Sequence, residues 1–324
     1  MKSFKNGRDY LLSYFTHDLG DYPTGSSVGV EVETQFVYED GRPISVETSQ
    51  AILRDLLYSN SDPTPWKIET SKNSLVTEIK DSENGTRILY ELGRHNIEIS
   101  FSPFSAYFLN NTENGRLMNP VRFQLNYLYA SAAKFGAHPL KQPILETEED
   151  LLVMPDERDA TWLKLDGRGP LNLLARTSSV QFTIDVTPGD SWKLINFLTR
   201  EMPLFLSDYP QDALWKRYIK ESPAGYEESR YGNPGVTFES LAHYSEVLSG
   251  FKVVSGTRLV AGSEARDFNI PLFIRSVWWH FRLKRYGRKL CLEIRPFARR
   301  LDGEIPNQWN RLLSLIQKFE SEKK

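Results

Sequence analysis

One short segment, with apolar and acidic side chains alternating along it, does most to limit what this chain can fold into. It reads Ser27-Val28-Gly29-Val30-Glu31-Val32-Glu33-Thr34-Gln35-Phe36-Val37. Side chains on a strand alternate between faces, so residues two apart point the same way. Val28, Val30 and Val32 take one face; Glu31, Glu33 and Gln35 take the other. Carboxylates about 7 Å apart on one strand face repel each other. Against water such a pair is harmless. In a pocket it needs a cation, or pKa values driven apart.

The pattern returns three times. In Asn96–Phe101 the apolar set is Ile97, Ile99 and Phe101, opposed by Glu98 and Ser100. In Ser179–Val186 it is Val180, Phe182, Ile184 and Val186, opposed by Ser179, Gln181, Thr183 and Asp185. In Leu290–Arg295 the polar set is Cys291, Glu293 and Arg295. Antiparallel sheets often have one solvated face, which by itself explains any one of these strands. The first two, however, carry only acids and neutral polar groups on that face. Glu31, Glu33, Glu98 and Glu293 on one sheet face, with Arg295 beside them, suit a hard divalent cation such as Mg²⁺. The arginine suits phosphate.

At 324 residues the chain can bury a substantial core. Its composition is that of an ordinary globular protein, which excludes collagen-like, coiled-coil and wholly disordered readings. A net charge of −2 is too balanced for a surface given over to nucleic acid or anionic lipid. The single cysteine, Cys291, allows no internal disulfide and no cysteine-cluster zinc site. No apolar run reaches the ~18 residues of a membrane span, and Met1–Arg8 has no apolar run after its positive charges. A cytoplasmic protein is expected. Periodicity predicts helices over 8–16, 45–58, 117–135, 191–206, 237–248 and 305–322. It predicts strands over 28–38, 66–70, 75–80, 86–91, 96–101, 178–186, 277–284 and 290–296. Without a regular strand–helix alternation, this predicts an α+β fold: a largely antiparallel, curved sheet with helices packed on one face. The stretches 221–235 and 255–267 read as long loops. No linker divides the chain, so a single domain over 1–324 is expected.

These residues resemble a known family. Val28-Gly29-Val30-Glu31-Val32-Glu33 is similar to the Gly-x-Glu-x-Glu strand that opens glutamate–cysteine ligases and related carboxylate–amine ligases, within the glutamine synthetase-like superfamily. Glu91 through Glu98 resembles its second acidic element, Phe135-Gly136-Ala137-His138-Pro139 its Gly-x-His-Pro, and Arg176 through Asp185 its substrate strand. Trp279-His280-Phe281-Arg282 and Leu292-Glu293-Ile294-Arg295 resemble its closing pair. The five matches run in the family's order over residues 28 to 300. Gln181, where many bacterial members have His, and His280, where an acid is common before the closing arginine, depart from the pattern.

The resemblance implies a glutamine synthetase-like catalytic fold. It implies an ATP- and Mg²⁺-dependent ligase, with Mn²⁺ as an alternative ion, that joins an amino-acid carboxylate to an amine through an acyl phosphate. The acid would be the γ-carboxylate of glutamate, the amine one such as cysteine. Carried over residue by residue, Glu31, Glu33, Glu91, Glu98 and Glu293 are metal ligands. Arg295 contacts the transferring phosphate, and Arg282 phosphate or substrate carboxylate. Gln181, Arg176 and His138 bind substrate. The partners are then small molecules. Two alternatives stand beside this: nucleic-acid binding by the basic and aromatic segment 278–300, and an inactive relative that only binds a metabolite. From Arg282 to Arg300 there are eight basic residues against one acid, Glu293.

Overall fold

The computed structural model describes residues 7–58, 66–72, 74–105, 115–153, 157–265 and 268–323. The strands are β1 Ser27–Val37, β2 Trp66–Lys72, β3 Leu75–Asp81, β4 Arg87–Tyr90, β5 Asn96–Ser100, β6 Phe104–Ser105, β7 His138–Pro139 and β8 Ser179–Asp185. They continue with β9 Tyr231–Gly232, β10 Val253–Ser255, β11 Arg258–Val260, β12 Trp278–Trp279, β13 Phe281–Tyr286 and β14 Lys289–Ala298. Helices are α1 Gly7–Thr16, α2 Val46–Tyr58, α3 Gly115–Ala133, α4 Glu157–Asp166, α5 Arg168–Ala175, α6 Pro188–Arg200, α7 Met202–Leu206, α8 Asp212–Glu221, α9 Leu241–Ser249, α10 Ile270–Arg275 and α11 Glu304–Glu322.

One sheet organises the molecule, in the order β13-β14-β8-β1-β5-β4-β3-β2, with β6 and β7 paired to the two ends of β1. Every neighbouring pair along that path is antiparallel. The predicted alternation is realised: Val28, Val30, Val32, Ile97, Ile99, Phe182, Ile184, Leu292 and Ile294 are fully buried on one face. They share a core with Leu53 of α2, Leu125 of α3, Leu198 of α6 and Trp309 of α11. Helix α11 shows why it docks there. Ile305, Trp309, Leu312, Ile316 and Phe319 recur every three or four residues and form one buried stripe.

The expectation of helices on one face is incomplete. Helices α4, α5 and α8 pack with Trp278 in a second, smaller apolar cluster, and they roof part of the acidic face. Periodicity missed them for local reasons. Gly167-Arg168-Gly169-Pro170 reads as a turn, yet proline is tolerated in a helix's first turn and α5 starts there. In α8, Trp215, Tyr218 and Ile219 keep the i, i+3, i+4 spacing but are set among charges. The expected strand 277–284 is two, broken at His280, where the chain leaves a parallel pairing with β9 to join the main sheet. The expected loops are shorter than their sequence suggests. The first holds a 3₁₀ turn and β9, the second the β10–β11 hairpin; Arg266 and Asp267 lie outside the described residues. No described helix is long and apolar enough to cross a membrane.

Candidate active site

The central strand β1 lies between β5 and β8, and the register decides which side chains meet. Glu33 pairs with Glu98, and Glu31 with Ser100 on one side and Gln181 on the other. Glu91 follows the end of β4, where its backbone N–H donates to Asn96 O. Antiparallel partners share a face, so acids distant in sequence converge. Carboxylate oxygens of Glu33, Glu91 and Glu98 lie within 4.8 Å of one another. They border a cavity of about 430 Å³, also lined by Glu31, Gln181, Arg282, Lys284, Glu293 and Arg295.

The Glu33 carboxylate is held from two sides. Its Oε2 accepts the Ser179 N–H at 2.7 Å, and its Oε1 accepts the Gln181 amide at 3.0 Å. Even so its carboxyl is pushed up to about 8, by burial first and then by the Glu91 charge. Burial also raises Glu31 and raises Glu98 well above the ordinary range, with neighbouring carboxylates adding to both. No basic side chain forms an ion pair with Glu33, Glu91 or Glu98 among the described residues. Buried acids this close must share protons or hold a cation. Three hard oxygen donors with no ion-paired cation fit Mg²⁺, which binds through a few carboxylates and keeps water or phosphate in its other positions.

A raised carboxyl favours the folded state while protonated, and that contribution is lost as pH rises through the folded pKa. The metal-free protein is therefore expected to lose stability between pH 7 and about pH 8.5, and millimolar Mg²⁺ to restore it. His95 and His280, whose burial lowers their pKa, act below that window: folded they stay neutral, so their stabilising contribution is complete above the ordinary histidine range. Thermal melts at pH 7 and 8.5, with and without Mg²⁺, check this. A flat response in both respects would remove the carboxylate cluster as a cation site.

Glu293 lines the same cavity, but its nearest partners are cations rather than the converging acids. Register sets it opposite Arg282, and it is fully buried in a knot of three cations. Arg282 donates to its Oε2 from Nη2 at 2.5 Å and from Nε at 2.9 Å. Lys284 pairs with Oε1, and Arg295 Nη1 lies 3.2 Å from Oε2. These three charges hold the Glu293 carboxyl far below the usual range despite its burial. Glu293 therefore stands in an ion-paired cluster, apart from the three acids that converge. Arg282 is equally occupied: its Nη1 donates to Ile274 O at 2.9 Å and Val277 O at 2.8 Å. Its contacts tie Glu293 to the turn before β12.

Arg295 owes its direction to an irregular strand. Ile294 pairs with Phe182 and Phe297 with Val180, so Arg295 and Pro296 together face the one residue Gln181. Proline, which cannot donate to a ladder, is accommodated at such a bulge, and bulges re-aim side chains. Arg295 Nη1 then reaches Gln181 Oε1 at 3.1 Å, and its guanidinium lies 5.9 Å from the Trp215 ring centre. A continuous polar path runs from Arg295 through Gln181 to Glu33.

Two predicted residues do not line the cavity. Arg176 donates to Leu145 O at 3.0 Å and pairs with Glu146 at 2.7 Å; it ties the approach to β8 in place. His138 is exposed on β7, opposite Val37. Sequence reasoning missed Lys284 and the roof: Trp162, Leu171, Leu174, Tyr209, Trp215 and Tyr218. The half-buried tryptophans of α4 and α8 were the available signal. Trp278 and Trp279 do face opposite ways, Trp278 to the roof and Trp279 into the main core. Cys291 is buried beside Asp185, and its thiol is pushed up to about 12.

The basic segment is internally satisfied. Beyond Arg282, Lys284 and Arg295, Arg285 donates to Tyr14 O and Asp18 O, Arg288 pairs with Asp18 and Lys289 with Asp185. Arg299 pairs with Asp302 and Arg300 with Asp208. Each residue of the cationic run thus has an acidic or backbone partner within the chain.

No protein-family model and no curated relative matches the chain. Among solved structures it is similar to glutamate–cysteine ligase from Francisella tularensis in complex with AMP. The TM-score is 0.45 and the identity 12%, over 87% of this chain and 62% of that one. It is also similar to a bifunctional glutathione synthetase from Pasteurella multocida, with TM-score 0.44 and identity 13%, over 91% of this chain and 37% of that one. The chain thus spans less than two thirds of either structure.

Proposed function

We propose that this chain is an ATP- and Mg²⁺-dependent carboxylate–amine ligase with a glutamine synthetase-like catalytic domain over residues 1–324. It joins an amino-acid carboxylate, the γ-carboxylate of glutamate on the motif pattern, to an amine through an acyl phosphate. The convergence of Glu33, Glu91 and Glu98 within 4.8 Å, in a cleft that also holds Glu31 and Arg295, carries this reading.

In the first step a substrate carboxylate oxygen bonds to the γ-phosphorus while the bond to the bridging oxygen breaks and ADP leaves. In the second the amine nitrogen bonds to the acyl carbon, the bond to the phosphate oxygen breaks, and the amine sheds a proton. Both steps need positioning and charge neutralisation more than covalent help. A bound Mg²⁺ would supply neutralisation of the phosphate oxygens. Glu33, Glu91 and Glu98 would hold it, with Glu31 alongside. Arg295, partly exposed in the cleft and steadied by Glu293 and Gln181, is placed to meet the transferred phosphate. Gln181 orients both Glu33 and Arg295, and so couples the metal acids to the phosphate cation.

A screen of amino-acid pairs for Mg²⁺- and ATP-dependent phosphate release tests the reading. With an active pair in hand, Arg295→Ala is expected to lower turnover by about 10²–10³, the loss typical of one preorganised charge-stabilising donor. Glu31→Gln is expected to fold and lose turnover. Phosphate release from every pair at the no-enzyme rate, or an Arg295→Ala variant at full rate, would sink it.

A further inference from the structure

The two ends of the cleft differ in chemistry. At the Glu31 end stand the cations Arg87, in register with Ser100, and Lys284. At the Glu33 end the wall is apolar, built from Trp162, Leu171, Leu174, Trp215, Tyr218 and Trp278. Its rings brace one another. Trp162 and Trp278 centres are 6.2 Å apart, and Tyr218 meets Trp278 edge-on at 5.4 Å. Trp215 stacks on Tyr231 at 5.6 Å with 5° between planes. Trp162, Leu174 and Trp215 are only half-buried, so each keeps apolar surface in the cavity wall. Of the guanidiniums that line the cavity, Arg295 is already bonded to Glu293 and Gln181, Arg282 to Glu293 and Arg87 to Glu78, while Arg275 is exposed at the end of α10. A charged side chain laid against Trp162, Leu174 and Trp215 would lose hydration on those apolar surfaces.

This wall also lies close to the chemistry. Arg295 touches Trp215, bonds Gln181 at 3.1 Å, and Gln181 bonds Glu33 at 3.0 Å. In the proposed reaction the group beside the γ-phosphate is first the substrate carboxylate and then, at its acyl carbon, the incoming amine. The adenine stands a ribose and two further phosphates away. An apolar wall this near the metal acids borders these reactants, not the base; the acid substrate, glutamate in the proposed reaction, has no apolar group to fill it, which leaves the amine.

Resting on the ligase reading, we propose that the wall of Trp162, Leu174, Trp215 and Trp278 is the subsite for the incoming amine, and that this amine carries an aromatic or large apolar group. Flat rings bury much area and pair well edge-on with other rings. A small thiol side chain would leave the wall unfilled.

Calorimetry on the full chain tests this, using L-phenylalanine and L-alanine as probes with Mg²⁺ and a non-hydrolysable ATP analogue, and the analogue alone. Phenylalanine is expected to bind at least tenfold tighter than alanine. Trp162→Ala and Leu174→Ala are each expected to remove most of that preference while changing analogue affinity less than twofold. Equal binding of the two amino acids with the analogue bound overturns the subsite and leaves the ligase reading standing. A variant that weakens the analogue instead assigns the wall to adenine and overturns it too. Failure of the analogue to bind at all overturns the ligase reading and the subsite with it.

Discussion

Glu98→Gln is expected to lower ligase turnover by at least about 100-fold, beyond what is typical for losing a mere supporting partner of a metal ligand, and to raise the melting temperature of the metal-free protein. The two effects share one origin. Glu98 sits opposite Glu33 in the β1–β5 register and beside Glu91. Without metal, its charge is opposed by burial first and by neighbouring acids second. A neutral amide of the same shape relieves that repulsion and removes one donor. Mn²⁺ titration followed by electron paramagnetic resonance, melts without metal and phosphate-release rates check all three consequences. A variant that binds Mn²⁺ as the wild type does and keeps its turnover would show that the acids converge for another reason.

Arg282→Met is expected to destabilise the fold by about 3–5 kcal/mol, the range for removing one partner of a buried ion pair. Glu293 is fully buried, and Arg282 supplies two of its contacts and anchors two backbone carbonyls as well. Removing the arginine leaves Lys284 and Arg295 to neutralise the carboxylate and leaves the carbonyls of Ile274 and Val277 without that donor. The double variant Arg282→Met/Glu293→Leu is expected to lose less than the sum of the two single variants, because the Arg282–Glu293 bonds are then removed once rather than twice. Urea unfolding of the wild type, the two single variants and the double variant measures the coupling. Additive losses would mean that the pair does not act as a unit.

These two glutamates show what the sequence could and could not disclose. Alternation placed Glu98 and Glu293 on the polar face of their strands, and both are there. It could not say which acid meets another acid and which meets a cation. That depends on register, and register arises from pairings between separate segments: β5 with β1 and β4, β14 with β13 and β8. Glu293 faces Arg282 because the β13–β14 hairpin closes around Gly287, whose φ of +58° suits the turn. Arg295 was legible as a residue, but its aim depends on a bulge that periodicity does not register. The roof was the least legible part. Its tryptophans and leucines lie on short helices rich in charge, where α4 and α8 mix buried rings with solvated lysines and arginines. His138 and Arg176 were placed by motif spacing alone. Their surroundings, an exposed β7 and a pairing with Glu146, lie apart from the cavity lining.

The floor and the roof of the cleft are carried by different kinds of backbone. Glu31, Glu33 and Glu98 stand on strands whose reverse sides build the main core, and Glu91 directly follows one, so moving any of them disturbs the sheet. The rings stand on connections, α4 and α5 between β7 and β8 and α8 between β8 and β9, with a small core of their own. Selectivity can thus drift while reactivity is held fixed: a descendant could acquire a new acceptor by rewriting two inserts without touching the bed that would grip the metal.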